Sequence, residues 1–196
     1  MKILNDKEIR YALLGKLARS SKKPIATLEE VHVCNGNAIA DVVAVYKSMH
    51  CYEIKGETDS VSRIVHQSQF YDVAFPLITL VTTVNHIKKA EKIAPSHWGL
   101  ILAKADSSDS IVFKHVRGAS NNPMYRPEVA LLSLWRAELI NIAYSFSVSV
   151  EKMNRQKMAE LIASKATTKV INDSLGRVLA ARRMHGPILD SPAPCM

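Results

Sequence analysis

A chain of 196 residues, 47% hydrophobic and 22% charged, is long enough for one compact domain with a core of normal size, so composition argues against disorder. No apolar run approaches the roughly 20 residues a bilayer span needs, and Met1 to Asp6 lacks the apolar core of a signal peptide, so a cytoplasmic protein is expected. Three cysteines (Cys34, Cys51, Cys195) without a CxxC spacing indicate neither a disulfide framework nor a zinc site. The net charge of +8 suits a polyanionic partner and is uneven: residues 114–196 hold 12 of the 26 basic groups but only 6 of the 18 acidic ones.

Asp6 to Arg19 reads as a helix, with Ile9, Leu13, Leu14 and Leu17 at helical spacing and Asn5 or Asp6 able to cap it. Three strand-like runs follow: Ile25–Cys34, Ala38–Val45 and Met49–Lys55. Asn35-Gly36 joins the first two as a two-residue hairpin turn, because both positions tolerate positive φ. Ser60 to Ala74 is a second helix, Leu77 to Thr82 a strand buried on both faces, Val84 to Ile93 a short basic helix, and Trp98 to Lys104 another strand. Ser110 to Val116 can add an edge strand, and Gly118 to Pro127, rich in Gly, Ser, Asn and Pro, marks a loop. Beyond it, Glu128–Tyr144, Glu151–Ser164 and Thr168–Met184 all follow helical periodicity, and Gly186 to Met196, with three prolines, reads as a flexible tail. The order predicts an α/β fold with a mixed central sheet flanked by helices: a core over 1–117, a loop at 118–127, and a helical extension over 128–185 that packs on the core.

Hairpin geometry brings acids together. With a two-residue turn at Asn35-Gly36, Glu30 lies opposite Asp41, and cross-strand partners share a face. In the next hairpin a three-residue loop, Tyr46-Lys47-Ser48, sets Asp41 opposite Glu53, whereas a two-residue loop at Lys47-Ser48 sets it opposite Ile54. Apolar–polar alternation does not choose between them. Glu53 and Lys55 share a face in either case, because side chains alternate with period 2. Carboxylates brought so close repel one another unless a divalent cation holds them, and hard oxygen ligands favour Mg²⁺ or Mn²⁺. Such an ion polarises a scissile phosphate, while Lys55 can orient the attacking water or offset transition-state charge. The bland alternative, Asp41 and Glu53 as solvated strand residues paired with Lys55, is the commoner meaning of an isolated D…ExK pattern. The helix that follows adds Gln67-x-x-x-Tyr71, which lies on one helical face.

With an aspartate on the second strand, ExK ending the third and QxxxY on the next helix, the chain resembles the PD-(D/E)xK nuclease superfamily, in the branch with RecB-type nucleases. The run from Ile39 to Thr83, with Trp98-Gly99 and Leu131 to Leu139, is also similar to a family of small bacterial proteins of this fold. The resemblance covers roughly residues 5–140. It implies a restriction-endonuclease-like fold and a Mg²⁺-dependent nuclease acting on DNA in repair, mobile-element or phage-defence settings. Asp41 and Glu53 would bind metal, Lys55 would be the catalytic lysine, Gln67 would position the lysine, water or DNA, and Tyr71 would support them. Superfamily members often carry a further early glutamate, for which Glu30 is the candidate, with Glu29 and Glu8 as rivals. Gly56-Glu57 departs from the Ser-Asp type sequence that often follows the lysine.

His86, Lys88, Lys89 and Lys92 could contact phosphate or form a solvated helix face; Arg177, Arg182, Arg183 and His185 suit either nucleic acid or the end of a helix dipole. Trp135 beside Arg136 is a stacking candidate, though an aromatic in LLSLW is more often core. A homodimer or a protein partner is compatible with the sequence. A nuclease-fold module that binds or regulates without cutting is the competing expectation, and metal binding separates the two.

Overall fold

The computed structural model describes residues 3–150 and 152–185, with side chains described as far as Arg182. The expected tail at 186–196 and the side chains of Arg183 and His185 lie outside the described residues.

The fold is α/β, as expected: a six-stranded mixed sheet flanked by helices, with a helical C-terminal part. The strands are β1 (Ala26–Val33), β2 (Ala38–Val45), β3 (Met49–Lys55), β4 (Leu77–Thr82), β5 (Gly99–Ala105) and β6 (Ile111–Arg117), and they neighbour one another in chain order. Hairpins make β1–β2, β2–β3 and β5–β6 antiparallel, while β3–β4 and β4–β5 are parallel. The parallel pairs are connected through α2 (Ile64–Ala74) and α3 (Val84–Ile93), as crossovers require.

Period-2 alternation divides the core between the two faces of the sheet. Val42, Ala44, Tyr52 and Ile54 pack with Ile9, Leu13 and Leu17 of α1 (Asp6–Arg19). Val43, Val45 and Cys51 pack with α2 and the C-terminal helices. α1 opens with a capping box in which Glu8 N donates to Asn5 Oδ1 at 2.9 Å. Its start is held tightly against the end of β3. A Cβ at Gly56 would lie 2.8 Å from Asp6 N, and Glu57 N donates to Leu4 O at 2.9 Å. A residue without a side chain therefore follows Lys55 because α1 begins on top of it.

The β1–β2 turn follows the expected geometry, with Asn35 at φ 58° and Gly36 at φ 86°. Three stretches differ from the periodicity, one being the helix expected over Glu151–Ser164, which starts only at Arg155. The helix expected at Ser60 begins as a 3₁₀ turn, Val61–Arg63, before α2. The helix expected over Glu128–Tyr144 is broken into α4 (Pro127–Leu131) and α5 (Arg136–Ser145). The break is supported from a distance: the Arg155 guanidinium donates to the carbonyls of Leu132 and Leu134, and Trp135 N donates to Glu138 Oε2 at 2.7 Å. α6 (Arg155–Lys165), capped by Asn154, and α7 (Thr168–His185) complete the layer, with Ile162, Leu175 and Leu179 in the same apolar cluster as Val43 and Val45. Among the described residues, no helix is long and apolar enough to cross a membrane.

Candidate active site

Strand register brings the acids of β2 and β3 together. β2 and β3 pair Val45 with Met49 through Val42 with Tyr52, the register of the three-residue loop, and one step further sets Asp41 against Glu53. Asp41 Oδ2 accepts from Ile54 N at 2.7 Å, which fixes the carboxylate across the strand end. Glu53 is 1% exposed and Lys55 7%, and Lys55 Nζ donates to Glu53 Oε1 at 2.6 Å. The backbone under Lys55 is held in turn, since Thr82 Oγ1 donates to Lys55 O at 3.0 Å.

These groups sit in a cleft of about 480 Å³, lined also by Asp6, Asp59, Arg63, His66 and Gln67. Two buried oxygens in it have no partner within the protein: Glu53 Oε2 and Gln67 Oε1. The Tyr71 hydroxyl donates to Ile39 O at 2.8 Å and lies beside Glu53, close enough to pull that carboxyl down. Burial, then the neighbouring Asp41, pushes the Glu53 carboxyl up to about 7, against the opposing pulls of Lys55 and the Tyr71 hydroxyl. Burial raises Asp41 as well, with the Ile54 N–H, Lys55 and Arg10 opposing it. Desolvation and the nearby Glu53 likewise raise the Tyr71 phenol.

Glu30 takes a different place. The β1–β2 register puts it opposite Asp41, but the ladder skips this rung, and Glu30 stands at φ 53°. The facing pattern changes there in both strands. Ala26 lies in the same cluster as Val31 and Val33, and Ala38 and Ala40 in the same cluster as Val43 and Val45. Cross-strand opposition therefore does not carry Glu30 into the cleft. Its side chain is 67% exposed and accepts from Arg10 Nη1 at 3.0 Å. Arg10 Nη2 lies 3.4 Å from Asp41 Oδ1, so the guanidinium stands between the two acids. Asp6, considered in the sequence only as a cap, is the early acid that lines the cleft, because Gly56 lets the start of α1 approach Lys55.

Of the metal ligands expected from the sequence, Asp41 and Glu53 are the two carboxylates that line the cleft. Among the described residues, no group of three His, Cys, Asp or Glu side chains gathers at ligating range. Two carboxylates still fit Mg²⁺ or Mn²⁺, because such ions commonly take one or two protein carboxylates and complete their shell with water and substrate phosphate. The unpaired, buried Glu53 Oε2 is the atom that such an ion would satisfy.

Half-buried Trp135 and Arg182 engage each other and Glu138. The Arg182 guanidinium lies 4.3 Å from the Trp135 ring centroid and its Nε donates to Glu138 Oε1 at 2.7 Å. Arg177 pairs with Asp173 one turn away.

The chain is similar to a solved protein of unknown function from Silicibacter pomeroyi at 14% identity and a TM-score of 0.45, over 97% of this chain and all of that one. "Protein cII" of Enterobacteria phage P4 is 23% identical over 172 residues, which is 87% of this chain. The chain spans 65% of the length of that curated relative. The family model described as bacteriophage P4 protein cII matches residues 1–186. The chain belongs to the bacteriophage P4 protein cII family.

Proposed function

We propose that the protein is a metal-dependent nuclease of the PD-(D/E)xK type that hydrolyses DNA phosphodiester bonds. The observation that carries the reading is the union of Asp41, Glu53 and Lys55 in one cleft with two buried oxygens, Glu53 Oε2 and Gln67 Oε1, left without partners. An unsatisfied buried carboxylate oxygen costs about 1–3 kcal/mol or more, so a fold retains one where something else satisfies it.

Asp41 and Glu53 would hold Mg²⁺ or Mn²⁺, which when bound supplies charge to a phosphate oxygen and acidifies water. Lys55, fixed by Thr82 and Glu53, presents an ammonium to the same space, where it orients the attacking water and offsets charge developing on phosphate. Gln67, with its carbonyl oxygen unpaired, accepts a hydrogen bond from water or a nucleic-acid donor. Arg63 and His66 line the cleft and are exposed. Lys89, which donates to Ser62 Oγ at 2.6 Å, continues that basic edge onto α3 with Lys88 and Lys92. Arg63 and these lysines contact the phosphate backbone without reading sequence.

One observation favours a second reading. Both acids already have internal cations, Lys55 on Glu53 and Arg10 on Asp41, and a module that binds DNA without cutting would need no more. Single-stranded, duplex and branched DNA incubated with Mg²⁺ or Mn²⁺ separates the two. Cleavage that requires the metal and is lost in Lys55→Ala supports the nuclease. Salt-dependent DNA binding by the parent with no cleavage of any substrate supports the binding module instead.

A further inference from the structure

Arg10 is the unusual group at this site. Its side chain is 15% exposed, its Nε is buried and unpartnered, and three acids surround its tip. Asp41 Oδ1 lies 3.4 Å away, Glu30 Oε1 3.0 Å and Asp6 Oδ2 3.8 Å. The contact to the candidate ligand Asp41 is thus longer than the contact to Glu30. Glu30 reaches Arg10 from a left-handed backbone conformation that costs a non-glycine residue about 1–3 kcal/mol, and such strain persists where the surroundings enforce it. Glu30 and Asp6 keep 67% and 42% of their side chains exposed, whereas Asp41 keeps 20%. Two water-facing acids are therefore ready to hold the guanidinium if it leaves the buried one.

We infer that Arg10 is a guard on Asp41 and Glu30 its keeper, an inference that rests on the nuclease reading of the same cleft. Without a divalent cation, Arg10 neutralises Asp41, so that carboxylate does not stand unpaired beside Glu53. When the cation takes Asp41, the guanidinium is no longer needed there and is carried by Glu30 and Asp6. No bond is broken beyond an ion pair, and the net effect is an exchange of one cation for another on the same carboxylate. Glu30 therefore acts on the site through Arg10 and not as a metal ligand. Arg10 and Glu30 are both positioning residues: they set how readily Asp41 accepts the ion.

The test is Mn²⁺ binding by the purified protein, read from the electron paramagnetic resonance signal of free Mn²⁺, with circular dichroism confirming that each variant is folded. Asp41→Asn locates the site. Arg10→Gln should tighten Mn²⁺ binding and Glu30→Gln should weaken it, each about fivefold, the low end of coupling between linked groups. In the Arg10→Gln background, Glu30→Gln should have no further effect, because its agent is gone. Equal loss from Glu30→Gln in both backgrounds, or the same direction of change in both single variants, overturns the guard while leaving the nuclease reading in place. Mn²⁺ binding that is absent, or indifferent to Asp41→Asn, overturns the metal site itself and the guard with it.

Discussion

The two ends of α2 handle buried polar groups in opposite ways. Near its C-terminal end, Asp72 Oδ1 accepts from His97 Nε2 at 2.8 Å and from Trp98 Nε1 at 2.7 Å, and Asn122 Nδ2 donates to the carbonyls of Asp72 and Phe75. That network ties the 118–126 loop to the end of α2, and α2 to the turn before β5, and none of its buried side-chain atoms is left without a partner. Near its N-terminal end, Gln67 lines the same cleft as Glu53, and each keeps a buried oxygen unpaired. The first arrangement is complete and stabilises the fold. The second is incomplete, and its incompleteness is what a ligand would remove.

Breaking the cleft pair should have the largest effect. Lys55→Ala leaves Glu53 buried and uncompensated, which at pH 8 should cost about 3–5 kcal/mol in urea unfolding and abolish metal-dependent cleavage. The same site makes stability depend on pH in metal-free protein. The Glu53 carboxyl is raised in the folded state from 4.5 to about 7, so its contribution is fully present below about pH 4.5 and is lost as pH rises through 7. At 1.36 kcal/mol per unit this amounts to about 3 kcal/mol, and Glu53→Gln should flatten that part of the stability–pH curve measured in EDTA. At the other end of the helix, Trp98→Phe removes one donor to Asp72 and should cost about 2 kcal/mol in thermal or urea unfolding, with Mn²⁺ affinity unchanged. Tyr71→Phe removes the hydrogen bond to Ile39 O and should cost about 1 kcal/mol, with cleavage lowered less than by Lys55→Ala.

Much of this arrangement was legible in the residues. Asn35-Gly36 set the β1–β2 register, and YEIK at the end of β3 placed Glu53 and Lys55 on one face. The β2–β3 register was not legible, because Val42 to Val45 are apolar on both faces and alternation has nothing to count. The three-residue loop is fixed by Tyr46 N donating to Ser48 O at 3.0 Å, a backbone contact that leaves little mark on residue type. Glu30 misled for a related reason. Its positive φ, which turns it out of the ladder to meet Arg10, has no glycine or asparagine to announce it. The break between α4 and α5 was hidden because neither Gly nor Pro interrupts Leu132 to Trp135, and the arginine that supports it comes from the start of α6. Asp6 could have been found from Gly56, whose missing side chain signals a close approach directly after the lysine.

Cleavage of end-labelled DNA with Mn²⁺ by the parent, Glu53→Gln and Trp98→Phe, assayed side by side, tests the contrast between the two ends of α2 and the nuclease reading together. The account predicts that the parent and Trp98→Phe cut while Glu53→Gln does not. Equal cutting by Glu53→Gln, or no cutting by the parent on any substrate, would contradict it.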